Sequence, residues 1–204
     1  MSSHRGRRPL GWLSALGLGL ALLGTSACGD TDGLTVPAEA QASCQGEDPT
    51  DAMKMATATM LPGRVCGACH STGGQAKNSP WTVSGTLFAN KTSGCNSGEG
   101  LPNMVVEILY GQDDPQGAYK YGQVQPKGRL TTNSVGNFYT ATKFTAPMIA
   151  RVCETTGPDC STAKRVQTMI QKVGQDPATG ATVRVDCNLC HYAGGQALTR
   201  IYLP

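Results

Sequence analysis

Residues 130–142 read Leu130-Thr131-Thr132-Asn133-Ser134-Val135-Gly136-Asn137-Phe138-Tyr139-Thr140-Ala141-Thr142. This stretch decides the fold class. Thr, Val, Phe and Tyr suit an extended, half-buried backbone, and Asn133 to Asn137 supplies the residue types that turn a chain. Two strands around that turn are expected. Outward from it, Trp81 to Phe88 alternates, Met104 to Tyr110 is a strongly apolar strand candidate, Ala146 to Val152 alternates again, and Ala181 to Val185 closes the set. Five to seven short strands over roughly 100 residues, with Gly-rich turns between them, predict an antiparallel β-sandwich. Two segments read differently. Val166, Met169, Ile170 and Val173 fall at i, i+3, i+4 and i+7 before Gly174, which predicts a short helix over Lys164 to Val173. Asp48-Pro49-Thr50-Asp51 offers an N-cap with Pro at the first helical position, ahead of a helix over Ala52 to Leu61 that Pro62-Gly63 stops.

Three stretches of the middle region belong together. They are Val83-Ser84-Gly85-Thr86-Leu87-Phe88, then Gly100-Leu101-Pro102-Asn103-Met104-Val105-Val106-Glu107-Ile108, then Thr131-Thr132-Asn133-Ser134-Val135-Gly136-Asn137-Phe138. Over about 81–153 the chain resembles a carboxypeptidase-regulatory-type β-sandwich, with a Gly-containing first strand and a Thr-Thr…Gly-x-Phe hairpin. The resemblance implies a mainly β, Ig/prealbumin-like scaffold without catalytic residues of its own.

The chain has 204 residues, 39% hydrophobic and 5% aromatic, with 26 Gly and 12 Pro, which argues against a large helix-packed enzyme core. Arg5, Arg7 and Arg8 precede an apolar run from Leu10 to Leu23, too short to span a bilayer and suited to an export signal. The run ends in Gly24-Thr25-Ser26-Ala27-Cys28, which resembles the bacterial lipoprotein cleavage box. That resemblance implies removal of 1–27, a lipid on Cys28, and a membrane-anchored protein in the periplasm or at the cell surface. The three arginines account for the net charge of +3, and 1–27 holds no acid, so the remainder is formally neutral. No basic patch interleaved with aromatics supports nucleic-acid binding.

The chemistry lies in a repeated frame. Cys66-Gly67-Ala68-Cys69-His70-Ser71-Thr72-Gly73-Gly74-Gln75-Ala76 and Cys187-Asn188-Leu189-Cys190-His191-Tyr192-Ala193-Gly194-Gly195-Gln196-Ala197 both read C-x-x-C-H-x-x-G-G-Q-A. C-x-x-C-H is the attachment signature of haem c. Two thiols three positions apart lie on one side of a helical turn, where each adds to a vinyl group of one porphyrin, and the adjacent His reaches the iron. The Gly pair removes Cβ atoms, so the backbone can pass close to a flat macrocycle. The duplicated frame resembles bacterial multihaem c-type cytochromes. Carried over, that makes Cys66, Cys69, Cys187 and Cys190 thioether sites for two haems c, and His70 and His191 proximal iron ligands. Two other readings stand beside it: one four-thiolate zinc site from the same four Cys, or disulfide staples in a small exported domain.

Nine Cys, less Cys28 and these four, leave Cys44, Cys95, Cys153 and Cys160. Cys153 and Cys160 flank a turn-forming loop and are expected to pair, which leaves Cys44–Cys95 among the three connectivities four Cys allow. Beyond the leader the only His are His70 and His191, so neither iron finds a second His in this chain. Met ligation, an open sixth position or a ligand from another subunit remain. Met60 and Met169 are the distal candidates. No nucleophile elbow, phosphate loop or H-E-x-x-H pattern is present. The chain therefore divides as leader 1–27, lipidated tether 28–47, first haem segment 48–80, β-sandwich 81–180 and second haem segment 181–204, with short helical haem-binding segments at both ends of the sandwich. The expected function is one-electron transfer to redox partner proteins or other cytochromes. A non-haem β-sandwich lipoprotein acting as a binding module is the alternative. A five-coordinate haem sensor or peroxidase-like enzyme is a further one.

Overall fold

The computed structural model describes Cys44 and residues 60–204, except residues 96, 115–118, 156, 158, 193 and 194. The leader, the lipidated Cys28, the tether up to Cys44 and the helix expected over Ala52 to Leu61 lie outside the described residues, save Met60 and Leu61, which are not helical.

The chain is mainly β. In order, the strands are β1 Val83–Phe88, β2 Val105–Tyr110, β3 Val124–Thr131, β4 Asn137–Thr140, β5 Met148–Glu154, β6 Arg165–Thr168, β7 Val185–Asp186 and β8 Ile201–Tyr202. They form two four-stranded sheets. The second, in order β3-β2-β5-β6, is antiparallel throughout. In the first, β1 pairs antiparallel with β4 and parallel with the short β7 and β8. β1, β2, β4 and β5 fall where strands were expected, with shifted ends, whereas β3 lies almost wholly ahead of the Leu130 start expected for it. The Ala181 to Val185 candidate shortens to β7 plus a single bridge between Gln175 and Thr182.

Two expectations are corrected. The stretch Lys164 to Val173 is not a helix: β6 pairs with β5, and Met169 and Val173 continue that edge by donating their amides to Ala150 and Met148. Its apolar spacing does not mark one buried face, because Val166 is 43% and Ile170 98% exposed. Without this edge, β5 would leave a row of backbone groups unpaired. Second, the Thr131 to Asn137 turn closes no hairpin, since β3 and β4 lie in different sheets. The turn instead carries the chain from one sheet to the other. Asn133 Oδ1 accepts the amides of Val135 (3.1 Å) and Asn137 (3.0 Å), and Gly136 sits at φ +81°. A Cβ at Gly136 would stand 2.3 Å from the Leu87 carbonyl, so only glycine fits.

One apolar core serves both sheets. Val83, Leu87 and Phe138 come from the first, and Val106, Ile108, Met148 and Val152 from the second. Strand residues alternate faces, so β1 turns Val83 and Leu87 to this core and Ser84, Thr86 and Phe88 the other way. All six are buried. Something therefore covers the outer face of β1: Asn188 of the second C-x-x-C-H segment and Gly63, just before the first, meet Thr86, and Arg200 lies over Phe88, while Cys187 packs into the inner core. Among the described residues no helix is long and apolar enough to cross a membrane.

Candidate functional site

The first C-x-x-C-H segment enters β1 directly, and the second is an excursion between β7 and β8, both of which run along β1. The two segments, 121 positions apart, thus meet over the outer face of one strand. Asn188 is the link. Its Oδ1 accepts the Thr86 amide at 3.1 Å, while its Nδ2 donates to Thr86 Oγ1 (3.1 Å) and to the Arg64 carbonyl (2.7 Å). Thr86 Oγ1 also accepts the Gly63 amide at 2.8 Å and donates to Asn137 Oδ1 at 2.7 Å. Asp186 adds a second tie: one carboxylate oxygen accepts the Gly67 amide at 2.6 Å, the other that of Asn188 at 3.1 Å. Val65 and Ala68 of the first segment pack with Tyr192 and Leu189 of the second in a separate small apolar cluster.

Each segment makes only one 3-10 turn, Cys66–Ala68 and Cys187–Leu189, where short helices were expected. The turn cannot propagate because the chain doubles back at once. The equivalent hydrogen bonds repeat across the two segments. His70 and His191 donate their amides to Cys66 and Cys187 at 2.9 and 3.0 Å, and Ala76 and Ala197 donate to Cys69 and Cys190 at 2.9 and 3.1 Å. This doubling back also accounts for the second glycine of each frame. A Cβ at Gly74 would lie 2.1 Å from the Cys69 carbonyl oxygen, and one at Gly195 2.5 Å from that of Cys190. The requirement for glycine is met inside the loop itself, so close passage of a macrocycle is not needed to explain it.

Both imidazoles are oriented in the same way. His70 Nδ1 donates to the Ser79 carbonyl at 2.8 Å, and His191 Nδ1 to that of Thr199 at 3.2 Å. This fixes the tautomer and leaves Nε2 as the nitrogen with a lone pair, as second-shell partners of ligating histidines do. Burial lowers both pKa values despite those carbonyls, and Arg184 lowers that of His70 further, so both rings are neutral at pH 7.

The sulfurs are placed unequally. Cys187 is buried and Cys66 and Cys190 half-buried, all three as free thiols. Burial, reinforced by the nearby Asp186, holds Cys66 well above the usual thiol range and pushes Cys187 up to about 12. Burial also pushes Asp186 itself up to about 7, against the opposing pull of the Gly67 and Asn188 amides. Cys69 is disulfide-bonded, so its sulfur needs reduction before any other chemistry. The Cys44–Cys95 and Cys153–Cys160 disulfides form as expected. Among the described residues no three His, Cys, Asp or Glu side chains gather at a metal-sized point. Met60 is half-buried with its carbonyl accepting from Asn137 Nδ2. Met169, also half-buried, follows β6 on the sheet that carries neither motif.

Several residues of the site carried no signal in the sequence. Thr86, Asn137, Asp186 and Asn188 are unremarkable locally, and their roles come from partners across the fold. Arg200, only 3% exposed, spans from the second segment to the Cys44–Cys95 disulfide, with Nη2 3.0 Å from Cys95 Sγ and its guanidinium over the Phe88 ring. Trp81 and Tyr139, both read as strand residues, stack on His70 in series. No family model, curated protein or solved structure matches this chain.

Proposed function

We propose that this chain is a dihaem c-type cytochrome, built on a β-sandwich of two packed sheets and lipid-anchored through Cys28, that carries electrons to redox partners in the periplasm or at the cell surface. The observation that carries this reading is the duplicated frame: two C-x-x-C-H turns with the same backbone hydrogen bonds and the same Nδ1-anchored imidazole. The residue types suit the group. His70 and His191 each keep Nε2 to ligate iron, and Cys66, Cys187 and Cys190 hold free sulfur for thioethers, Cys187 needing to leave the shared core, where it now packs beside Gly85. Cys69 joins them once its disulfide is reduced. Bound haem supplies a one-electron couple whose potential follows from axial ligation and burial. The protein's part is to fix the two imidazoles, to hold the two attachment turns side by side through Asn188 and Asp186, and to bury the proximal His70. Neighbouring attachment turns make the pair a unit rather than two isolated centres. Met60 and Met169 stay the distal candidates.

The disulfide at Cys69 favours a second reading, in which the cysteines staple a non-haem binding lipoprotein. Intact mass and haem stain after expression with the haem-attachment machinery decide between them. Covalent haem supports the cytochrome, and its absence supports the stapled lipoprotein.

A further inference from the structure

The His70 imidazole lies face to face with the Trp81 indole, with ring centroids 3.4 Å apart and planes 8° apart. The indole in turn stacks on the Tyr139 phenol at 4.0 Å and 9°. The chain builds this stack from two places. Trp81 donates its amide to the His70 carbonyl at 3.1 Å, and Tyr139 stands on β4 opposite Ser84 of β1. Exposure rises outward, from 7% at His70 and 8% at Trp81 to 38% at Tyr139. The inner rings are sealed and the outer one meets solvent. Among the described residues no ring stacks on His191, so the two attachment sites differ here although their loops match. Packing alone needs apolar volume. Three parallel rings add an unbroken π path from an iron-ligating nitrogen heterocycle to the surface.

We propose that electrons enter and leave the protein at the first haem through His70, Trp81 and Tyr139, with the exit on β4. This rests on the dihaem reading. In each transfer Fe(II) becomes Fe(III) and one electron reaches a one-electron acceptor at the Tyr139 end. No bond forms or breaks and no proton moves, because the rings serve as a tunnelling medium and are not themselves oxidised.

The test places an acceptor at that end. Ala141→His puts an exposed imidazole two positions beyond Tyr139, where a ruthenium complex can be attached. The chain's other histidines beyond the leader are His70 and His191. Flash-generated ruthenium(III) then draws an electron from Fe(II), and the first-order rate is followed optically. Trp81→Leu and Tyr139→Leu are each expected to slow it several-fold, with haem content and midpoint potentials unchanged, and Trp81→Phe to recover most of the rate. An unchanged rate in both Leu variants would overturn the route, and so would a slowing explained by a shifted potential. If Trp81→Leu fails to take up haem, Tyr139→Leu, at the exposed ring, decides the question by the same rate. A parent chain without haem would overturn the dihaem reading and the route together. A loaded parent with an unmoved rate overturns the route alone.

Discussion

Asn188 is the second residue of its C-x-x-C-H motif, a position the signature leaves open. Here it bonds both the amide and the hydroxyl of Thr86 and the carbonyl of Arg64. Asn188→Ala takes the acceptor from the Thr86 amide and one of several partners from Thr86 Oγ1 and the Arg64 carbonyl, and losing a buried partner costs about 1–3 kcal/mol. Chemical denaturation is expected to show a loss of at least that size, and an unchanged midpoint would mean that the two segments are held together elsewhere. Gly195→Ala pushes a methyl into the Cys190 carbonyl, so it is expected to lower stability by about 1–3 kcal/mol or more, as overpacking does. Glu107, fully buried in β2, is held by Arg129, Arg151 and the Cys160 amide. Burial alone would raise its pKa, but Arg151 and Arg129 outweigh that and hold the carboxyl below the usual range. A depressed pKa in the folded state gives stability that is complete above the unfolded value, about 4.3, and is lost as pH falls through the folded value. Acid unfolding of the parent should therefore steepen below pH ~4. Glu107→Gln should be less stable at neutral pH and flatter in that acid range, and parallel curves for the two proteins would contradict the assignment. The two C-x-x-C-H frames were legible because their pattern is local and repeats in the sequence. Asn188, Asp186, Trp81 and Tyr139 were not, because what defines them is a partner on another strand.

Among the elements, the strands were legible where alternation and β-branched residues agreed, as in β1, β2 and β5. β6 was not. The apolar residues of 164–173 sit at helical spacing, yet Val166 and Ile170 face solvent, and the open edge of β5 sets the conformation of this stretch. The sheet-to-sheet turn at Asn133 to Asn137 was read at the right place but with the wrong consequence, since local turn chemistry does not say which strands pair. The two assigned disulfides act at this scale. Cys153–Cys160 closes a short loop at the end of β5, with a sequence separation of 7, and Cys44–Cys95 spans 51. Loop-closure entropy gives about 2.5 kcal/mol for the first and about 4 kcal/mol for the second. Replacing each pair by Ala should therefore lower the denaturation midpoint more for Cys44–Cys95, which also supports Arg200. The reverse order would show that the longer bridge does not constrain the folded chain.

For the whole molecule, the sequence placed the two motifs at opposite ends of the β region and left open whether they meet. They meet because β1 is buried on both faces: the inner face serves the shared core, which takes in Cys187, and the outer face meets Asn188 of the second segment and Gly63 just ahead of the first. The second segment reaches it because β7 and β8 run along the same strand as the first segment enters. No local pattern announces such a parallel pairing of two-residue strands, which is why the closeness of the motifs was hidden. The arrangement suits the proposed function, since one strand fixes the relative position of the two C-x-x-C-H turns that would carry the haems. The most direct measurement is the mass and haem content of the full chain matured with the haem-attachment machinery. The account predicts two covalently bound haems per chain, falling to one when Cys187 and Cys190 are both replaced by Ala. A chain that matures with no covalent haem would contradict the cytochrome reading, and one that takes up a single haem would contradict the equivalence of the two frames.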